Sequence, residues 1–363
     1  RIDIGAYEST TDLTAAVPEV KMSSPIIFTT YEWLICCQYF TITRTGDRTN
    51  PLVVTVNITL ENGMTAADYT LSEGSITGQS GVQTVTIQPG SLVANITLTP
   101  TDDIEAEAIN GLRMTLIDGA SYDLGSQTYS LGQIFLNDFV VINTNNSGDG
   151  SLRQAIINAN YYNSNDTITF EASANGTITL ASAFPNITNN GTLTITGNGT
   201  ANTIIQANAA ANVAAYRIFS VSVSGNLTLD NVTVRHGGSS AALLNGGCIY
   251  VDGTLIVQNS SVQNCYSGSS GGGIYANSGT TVTVTSSTIS GNSTAFIGAG
   301  IYCSSCSLTL TGATISSNVI NQPYIANGAA GVYCNTCTLS ITGTTFSSNS
   351  VSNTGGPAYG AAL

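Results

Sequence analysis

Acidic side chains are the groups in this sequence whose type and spacing could bind a metal ion. Sixteen of the 21 Asp and Glu residues lie within residues 1–140, many of them beside predicted strands. Carboxylates that converge without a cation repel one another, whereas Ca²⁺ takes about six to eight hard oxygen ligands. The pattern predicts a calcium site at the loops of the first half, and a solvated acidic loop is the alternative. The predicted ligands are Glu32, Asp68, Asp102, Asp103, Glu107 and Asp138.

Cysteine pairs form a second candidate site, because Cys303-Ser-Ser-Cys306 recurs 31 positions later as Cys334-Asn-Thr-Cys337. Each pair could close a disulfide within its own turn, which is the alternative that we favour. Coils stacked about 4.8 Å apart would instead allow bonds from Cys303 to Cys334 and from Cys306 to Cys337. The same four cysteines could also hold zinc. We further expect Cys248 to pair with Cys265, and this use of cysteine predicts an oxidising compartment.

The second half of the chain offers few groups for catalysis. Asp230, Arg235, His236 and Asp252 are the one plausible cluster, and their spacing predicts neighbouring coils but different corners. Glycoside hydrolysis needs two carboxylates at a defined separation, and elimination needs a basic proton acceptor. His236 lies in an Arg-His-Gly-Gly run, which favours a turn residue over a catalyst. We therefore predict no enzymatic activity.

The composition excludes nucleic-acid binding and a membrane-spanning helix. With one Lys, seven Arg and a formal net charge of −13, the chain cannot neutralise a nucleic-acid backbone. No apolar run approaches the roughly 20 residues of a membrane-spanning helix.

The number of charged residues falls sharply after residues 139–143, since residues 141–363 hold only five acids and three bases. That shift predicts a domain boundary.

The elements that must position these side chains form a repeat in the second half. Glycine-rich pairs precede Ile249, Ile274, Ile301 and Val332, which are 25, 27 and 31 positions apart. Each unit continues with short strands of alternating apolar residues. Such a unit cannot bury its apolar face alone, whereas stacked coils can. The repeat predicts a parallel β-helix, and a β-propeller is the alternative, although the units are short for four-stranded blades.

The whole chain is predicted to be all-β, in three segments. Residues 1–16 are an N-terminal segment, residues 17–140 an antiparallel β-sandwich, and residues 141–363 a right-handed parallel β-helix, or solenoid. A short amphipathic helix over about residues 150–160, with Ser151 as N-cap, is expected to cap the first coil. Its apolar face comprises Leu152, Ala155, Ile156 and Ala159.

Residues 141–363 resemble the right-handed β-helix domains of secreted bacterial surface proteins. The resemblance rests on Asn143 to Ile156 followed by Asp166-Thr-Ile-Thr-Phe170, and the later units resemble repeats of the chlamydial polymorphic membrane proteins. Only Phe346–Asn349 matches the Phe-x-x-Asn pattern in full, and Cys265 stands where that pattern has Asn. The resemblance implies an extracellular or cell-surface location.

Three segments of the first half share the pattern of one known family: Phe40-Thr-Ile-Thr-Arg-Thr-Gly46, Asp68-Tyr69-Thr70 and Asp102-Asp103 followed by Glu107. On these segments, residues 17–140 resemble a Calx-beta domain. The resemblance implies calcium at the six acids named above. Asn110 and Asn137 stand where members of that family often carry acids, which implies weaker or fewer bound ions.

The two ends of the sequence carry the functional prediction. Arg1–Glu8 resembles the sequence that closes a bacterial β-helix, whereas the last repeat stops in its middle at Leu363. Either the chain is one period of a longer polypeptide, or Arg1–Glu8 of one copy completes the open β-helix of the next. The residues expected in that contact are Arg1, Ile2, Ile4, Tyr7, Tyr359 and Leu363.

Both readings predict an extracellular structural protein of a surface fibre, whose partners are copies of itself end to end or adjoining repeats. Calcium at the sandwich rim would stiffen the loops near Asp138. The alternatives are a monomeric cell-surface adhesin, or a β-helix that binds or cleaves carbohydrate and meets surface glycans.

Overall fold

The computed structural model describes most of the chain. Its described residues are 17–23, 25–31, 38–72, 76–101, 110–135, 139–162, 164–188, 191–239, 241, 245–321, 328–352 and 362. They divide into two compact units, one ending at Phe135 and one beginning at Phe139. Nearly all the regular structure in both is β, as predicted.

The first unit consists of two mainly antiparallel sheets, arranged like a β-sandwich. One sheet has the order β5-β7-β3-β1-β9 and the other the order β2-β10-β8-β4-β6. Buried and exposed residues alternate along the strands, because successive side chains point to opposite faces. Phe40 and Ile96 of one sheet and Val54 and Met114 of the other belong to one core, and each is fully buried. The strands are β1 (Glu19–Met22), β2 (Ile27–Tyr31), β3 (Gln38–Arg44), β4 (Leu52–Glu61), β5 (Tyr69–Ser72), β6 (Gly81–Ile87), β7 (Val93–Pro100), β8 (Asn110–Ile117), β9 (Asp123–Leu124) and β10 (Tyr129–Phe135).

The second unit is a parallel β-solenoid of about seven turns. It begins with β11 (Val140–Val141) and helix α1 (Leu152–Tyr162). The first three coils contain β12 (Asp166–Phe170), a 3₁₀ turn (Ala172–Ala174), β13 (Gly176–Thr179), β14 (Leu193–Thr196), β15 (Thr203–Gln206), β16 (Phe219–Val221), β17 (Asn226–Asp230), β18 (Thr233–Arg235) and β19 (Ile249–Val251). The next two contain β20 (Thr254–Gln258), β21 (Ser261–Gln263), β22 (Tyr266–Ser267), β23 (Ile274–Ala276), β24 (Thr281–Thr285), β25 (Thr288–Ser290), β26 (Ser293–Thr294) and β27 (Ile301–Ser304). The last two contain β28 (Ser307–Thr311), β29 (Thr314–Ser316), β30 (Val319–Ile320), β31 (Val332–Asn335), β32 (Thr338–Thr342), β33 (Thr345–Ser347) and β34 (Ser350–Val351).

Equivalent strands of successive coils pair in parallel to form four sheets. Sheet S1 is β11-β12-β14-β17-β20-β24-β28-β32, and sheet S2 is β13-β15-β18-β21-β25-β29-β33. Sheet S3 is β16-β19-β23-β27-β31, and sheet S4 is β22-β26-β30-β34. The register pairs equivalent residues of successive coils. Along S3, for example, Ile249 pairs with Ile274, Ile274 with Ile301, and Ile301 with Val332. This parallel stacking is incompatible with the propeller alternative, whose blades are four-stranded antiparallel sheets.

Corners of the solenoid turn through residues with positive φ. The corner after S1 uses Asn231, Asn259, Ser286, Gly312 and Gly343. The corner after S2 uses His236, Asn264, Gly291, Ser317 and Ser348. Glycine adopts this conformation without a steric penalty, and Asn and His are enriched there among other residues. His236 is thus a corner residue, as predicted.

Helix α1 packs on the solenoid core at its first coil. Leu152, Ala155, Ile156 and Ala159 are fully buried in the same cluster as Ile168 of β12. Ser151 Oγ accepts a hydrogen bond from Gln154 N at 3.3 Å, which is the predicted N-cap. None of the helical structure among the described residues is long and apolar enough to span a bilayer.

Candidate functional site

Asp68 is the one predicted calcium ligand that the structure describes. It precedes β5, its side chain is only 4% exposed, and its carboxylate accepts hydrogen bonds from Thr65 N at 2.5 Å and Thr65 Oγ1 at 2.7 Å. Asn110 Nδ2, at the start of β8, donates to Asp68 Oδ2 at 3.3 Å. The structure therefore brings together two positions that are 42 residues apart in sequence. Glu32, Asp102, Asp103, Glu107 and Asp138 lie outside the described residues.

The charge of the buried Asp68 carboxylate meets hydrogen-bond donors, and no cationic side chain, among the described residues. Among the described residues the one ion pair joins Arg113 to Glu61, so no Lys or Arg there neutralises the buried Asp68 carboxylate. A buried carboxylate without a counter-charge is costly, and a cation bound by oxygen ligands removes that cost. Next to it, burial, together with the charge of Asp68, raises the pKa of Tyr69 to about 12. The remaining members of the predicted calcium set stay a prediction.

The six described cysteines form three disulfides. Cys303 pairs with Cys306, Cys334 pairs with Cys337, and Cys248 pairs with Cys265 across 17 positions. Cys303 and Cys334 also lie side by side in sheet S3, and three sulfur atoms (those of Cys303, Cys334 and Cys337) lie within 4.8 Å of one another. Cysteines in disulfides have no thiolate to offer a metal ion. The geometry is thus that of closure within each turn, and a metal site here would require reduction first.

The predicted catalytic candidates do not converge. Asp230 ends β17, His236 follows β18, and Asp252 follows β19, so the three stand at different corners. The expectation of neighbouring coils is wrong, because these strands are successive sides of one coil. Two of these side chains, those of Asp230 and His236, make hydrogen bonds with nearby residues of the solenoid. Asp230 Oδ1 accepts from Asn231 and Asn259, both at 3.0 Å, and His236 Nδ1 lies 3.0 Å from Asn208 O.

A row of stacked tyrosines runs along the outer face of sheet S3. Tyr250, Tyr275, Tyr302 and Tyr333 pair in register, with ring centroids 5.5, 4.6 and 5.4 Å apart and ring planes within 8° of parallel. Burial raises the pKa of Tyr250 and of Tyr275. The sequence signal for this row is the tyrosine that follows Ile or Val in each unit.

The tyrosine row ends at a small polar pocket. Ser220 on β16 occupies the row position before Tyr250, and its short side chain leaves room for Arg217, whose Cζ lies 4.6 Å from the Tyr250 ring centroid. Asn277 Nδ2 donates to Asp252 Oδ1 at 2.9 Å and to Tyr250 Oη at 3.3 Å. Burial lowers the pKa of Arg217. The pocket has a volume of about 240 Å³ and is lined by Asn186, Arg217, Ser220, Val221, Ser222, Tyr250 and Asp252.

A wider, open groove follows the corner between S1 and S2. It has a volume of about 500 Å³. Hydroxyl and amide side chains line most of it, and they come from four successive coils. They include those of Thr200, Thr233, Asn259, Ser261, Gln263 and Thr288.

Comparison with known proteins yields partial structural likeness. No protein-family model matches the chain, and no curated protein is similar to it. A crystal structure of the apo form of the Calx CBD1 domain and a crystal structure of CBD12 from CALX1.2 are similar to part of it. Each is 14% identical and covers 34% of this chain with a TM-score of 0.27, and the match spans 99% of the first and 47% of the second. A likeness this weak does not establish a shared function.

Proposed function

We propose that the protein is an extracellular structural protein, one subunit or one repeat of a surface fibre that assembles end to end. The observation that carries the proposal is the in-register stacking of the solenoid. Its coils place tyrosine on tyrosine and asparagine on asparagine along sheet S3 and the S2 corner. Each coil contacts mainly its neighbours, so such a stack forms a stiff rod that lengthens by adding coils.

The outer edge of the seventh coil supports continuation of that rod. Leu310 of β28 is fully buried, whereas Ile341, its partner one coil further on, is 38% exposed. Apart from the bond from Val332 N to Ala362 O, the described residues place no strand on the outer edge of β31–β34. In this proposal that edge accepts a further strand.

Two sources could supply the covering strand in this proposal. It is either a further coil of the same polypeptide or the Arg1–Glu8 segment of another copy, in which Ile2 and Ile4 would face the core. That contact is head to tail and does not close on itself, so it builds a filament. The predicted assembly residues, namely Arg1, Ile2, Ile4, Tyr7, Tyr359 and Leu363, lie outside the described residues.

Calcium belongs to the same proposal. Asp68 would supply one carboxylate, and the remaining acids of the predicted set would supply the others. When bound, the ion would neutralise the buried Asp68 charge and hold the loops of the first unit.

Negative-stain electron microscopy of the 363-residue protein tests the proposal. We expect fibres with a regular axial repeat, and we expect an Ile2→Asp/Ile4→Asp variant to form none. A Thr10→Asp/Thr11→Asp variant is the matched control and should still assemble. Dispersed monomers of the unaltered protein at all concentrations and calcium levels would overturn end-to-end assembly of separate copies, and fibres of the Ile variant would overturn strand addition by Arg1–Glu8.

A second candidate function is that of a monomeric cell-surface adhesin that binds glycans. The observation that favours it is the open groove lined by hydroxyl and amide groups from four coils. A glycan array screened with monomeric protein tests it, and a signal lost on changing Thr233 and Thr288 to Val would support it. Turnover of a polysaccharide, lost on changing Asp230 or Asp252, would instead indicate a cleaving enzyme.

A further inference from the structure

Arg217 is a partly buried cation whose guanidinium makes no hydrogen bond or ion pair with another described residue. Its recorded contact is with the face of the Tyr250 ring, and the nearby carboxylate of Asp252 is too far away for an ion pair. A guanidinium carries five N–H donors in a planar fork that matches a carboxylate. Burial removes part of the water around it, so a ligand that accepts from this fork would make charge-assisted hydrogen bonds.

Asp252 also lines this pocket, and its carboxylate needs hydrogen-bond donors from a ligand, whereas Arg217 needs an acceptor. Asn277 and Tyr250 both bond to Asp252, and a carboxylate offers about four acceptor sites, so about two remain for a ligand. Ser220 and Ser222 add hydroxyls to the lining. A ligand that satisfies the pocket must therefore carry an anionic acceptor for Arg217 together with hydroxyl donors for Asp252.

We propose that this pocket binds the terminal residue of an acidic glycan, a uronic acid, with its carboxylate on Arg217 and its hydroxyls on Asp252 and the serines. The volume of about 240 Å³ is below the roughly 300–1,000 Å³ of pockets for drug-sized ligands, so it suits a single sugar. Inorganic sulfate or phosphate satisfies Arg217 but offers Asp252 few donors. This inference does not rest on fibre assembly or on the open groove, so its failure would leave both proposals standing.

The pocket exists because β16, the first strand of sheet S3, carries Ser220 at the position where the later strands carry tyrosine. Ser220 pairs with Tyr250 in register, so a tyrosine at position 220 would continue the stack and fill the space that Arg217 and the ligand share. A Ser220→Tyr variant should therefore close the pocket with a ring stack like the three that sheet S3 already contains.

Saturation-transfer NMR on the full chain tests the site with a matched pair of probes. Methyl glucuronide and methyl glucoside differ only in a carboxylate against a hydroxymethyl group. We expect the glucuronide to bind at least about tenfold more tightly, since hydrogen bonds between charged partners are stronger than those between neutral ones. We expect Arg217→Gln to abolish that preference and Ser220→Tyr to abolish binding of both probes.

Arg235→Gln is the control, because Arg235 already donates to Gln206 Oε1 at 2.9 Å on sheet S2 and lies outside the pocket. It should bind the glucuronide as the unaltered protein does. Circular dichroism establishes that each variant is folded. Equal binding of both probes, binding that survives Ser220→Tyr, or sulfate that competes as strongly as the glucuronide would each overturn the proposal.

Discussion

The side-chain nitrogen of Asn292 lies 3.0 Å from the side-chain oxygen of Asn318, one coil further on, and both residues are fully buried. Asn318 repeats the contact with Asn349 at 3.0 Å. The row begins at Cys265, whose backbone N donates to Asn292 Oδ1. Each amide thus bonds the coil on either side of it, which makes this corner a continuous polar seam inside an apolar solenoid.

Removing the central member of this seam should be severely destabilising. Asn318→Ala leaves Ile289 O and the backbone N of Asn292 without their partners. Unsatisfied buried groups cost about 1–3 kcal/mol each, so we expect a loss of about 2–4 kcal/mol. Urea denaturation measures it, with Asn321→Ala, an exposed neighbour, as a control that should change little. Equal effects of the two variants would contradict the seam.

The tyrosine row should stabilise the solenoid through ring stacking rather than through its hydroxyls. Tyr275→Ala removes two stacked pairs, each contributing about 0.5–1.5 kcal/mol, and should cost about 1–3 kcal/mol. Tyr275→Phe keeps both pairs and should retain most of the stability. Thermal melts of the two variants distinguish the causes, and a Phe variant as unstable as the Ala variant would assign the effect to hydrogen bonding.

Disulfide connectivity is directly measurable. Chymotryptic digestion without reduction should release Cys303 and Cys306 in one peptide and Cys334 and Cys337 in another, since cleavage after Tyr302, Leu308 and Tyr333 separates the coils. Linked peptides from two coils would instead establish bonds between Cys303 and Cys334.

The disulfides should also differ in their effect on stability. On the chain-entropy account, removing Cys248–Cys265 should cost about 3 kcal/mol, and removing Cys303–Cys306 about 2 kcal/mol, because the first closes the longer loop. Paired Cys→Ser variants compared by urea denaturation test this order.

Alkaline pH should destabilise the first unit through Tyr69. Its pKa is raised to about 12 in the folded state, above the ordinary 10, so the unfolded chain releases the proton first. The stability that this shift contributes is fully present below pH 10 and is lost as pH rises through 12. A shift of about two pH units corresponds to roughly 3 kcal/mol of stability.

Tyr69→Phe provides the control for that pH dependence. It removes the titrating group and the hydrogen bond from Tyr69 Oη to Gln79 O. The variant should be less stable at pH 8 by about 1 kcal/mol but should lose less between pH 10 and 12. Parallel pH profiles for the two proteins would contradict the assignment.

Calcium binding should depend on Asp68. Asp68→Asn removes the buried charge, so calorimetric titration should show calcium affinity reduced at least about tenfold, as expected for a lost charged ligand. Asp123→Asn changes an exposed carboxylate in β9 and should leave the affinity unaltered. An unaltered protein that binds no calcium would contradict the proposed site.

The repeat spacing and the apolar alternation were sufficient to predict the solenoid, the cap helix and the sandwich. Strand alternation places side chains by parity, and a period near one coil stacks equivalent positions in register, so Ile249, Ile274 and Ile301 had to align. The same register brings Asn292, Asn318 and Asn349 next to one another at their corner.

Sequence alone could not decide which side chains converge from strands that are distant in sequence. Asp68 meets Asn110, and Arg217 folds over Tyr250, through contacts set by sheet order and by the gap at Ser220. The choice of partner for Cys303 is another case, because Cys306 and Cys334 are both within reach from the spacing. Local periodicity determines the elements and their register, whereas the packing of long, flexible side chains and the closure of turns depend on neighbours that only the tertiary structure brings together.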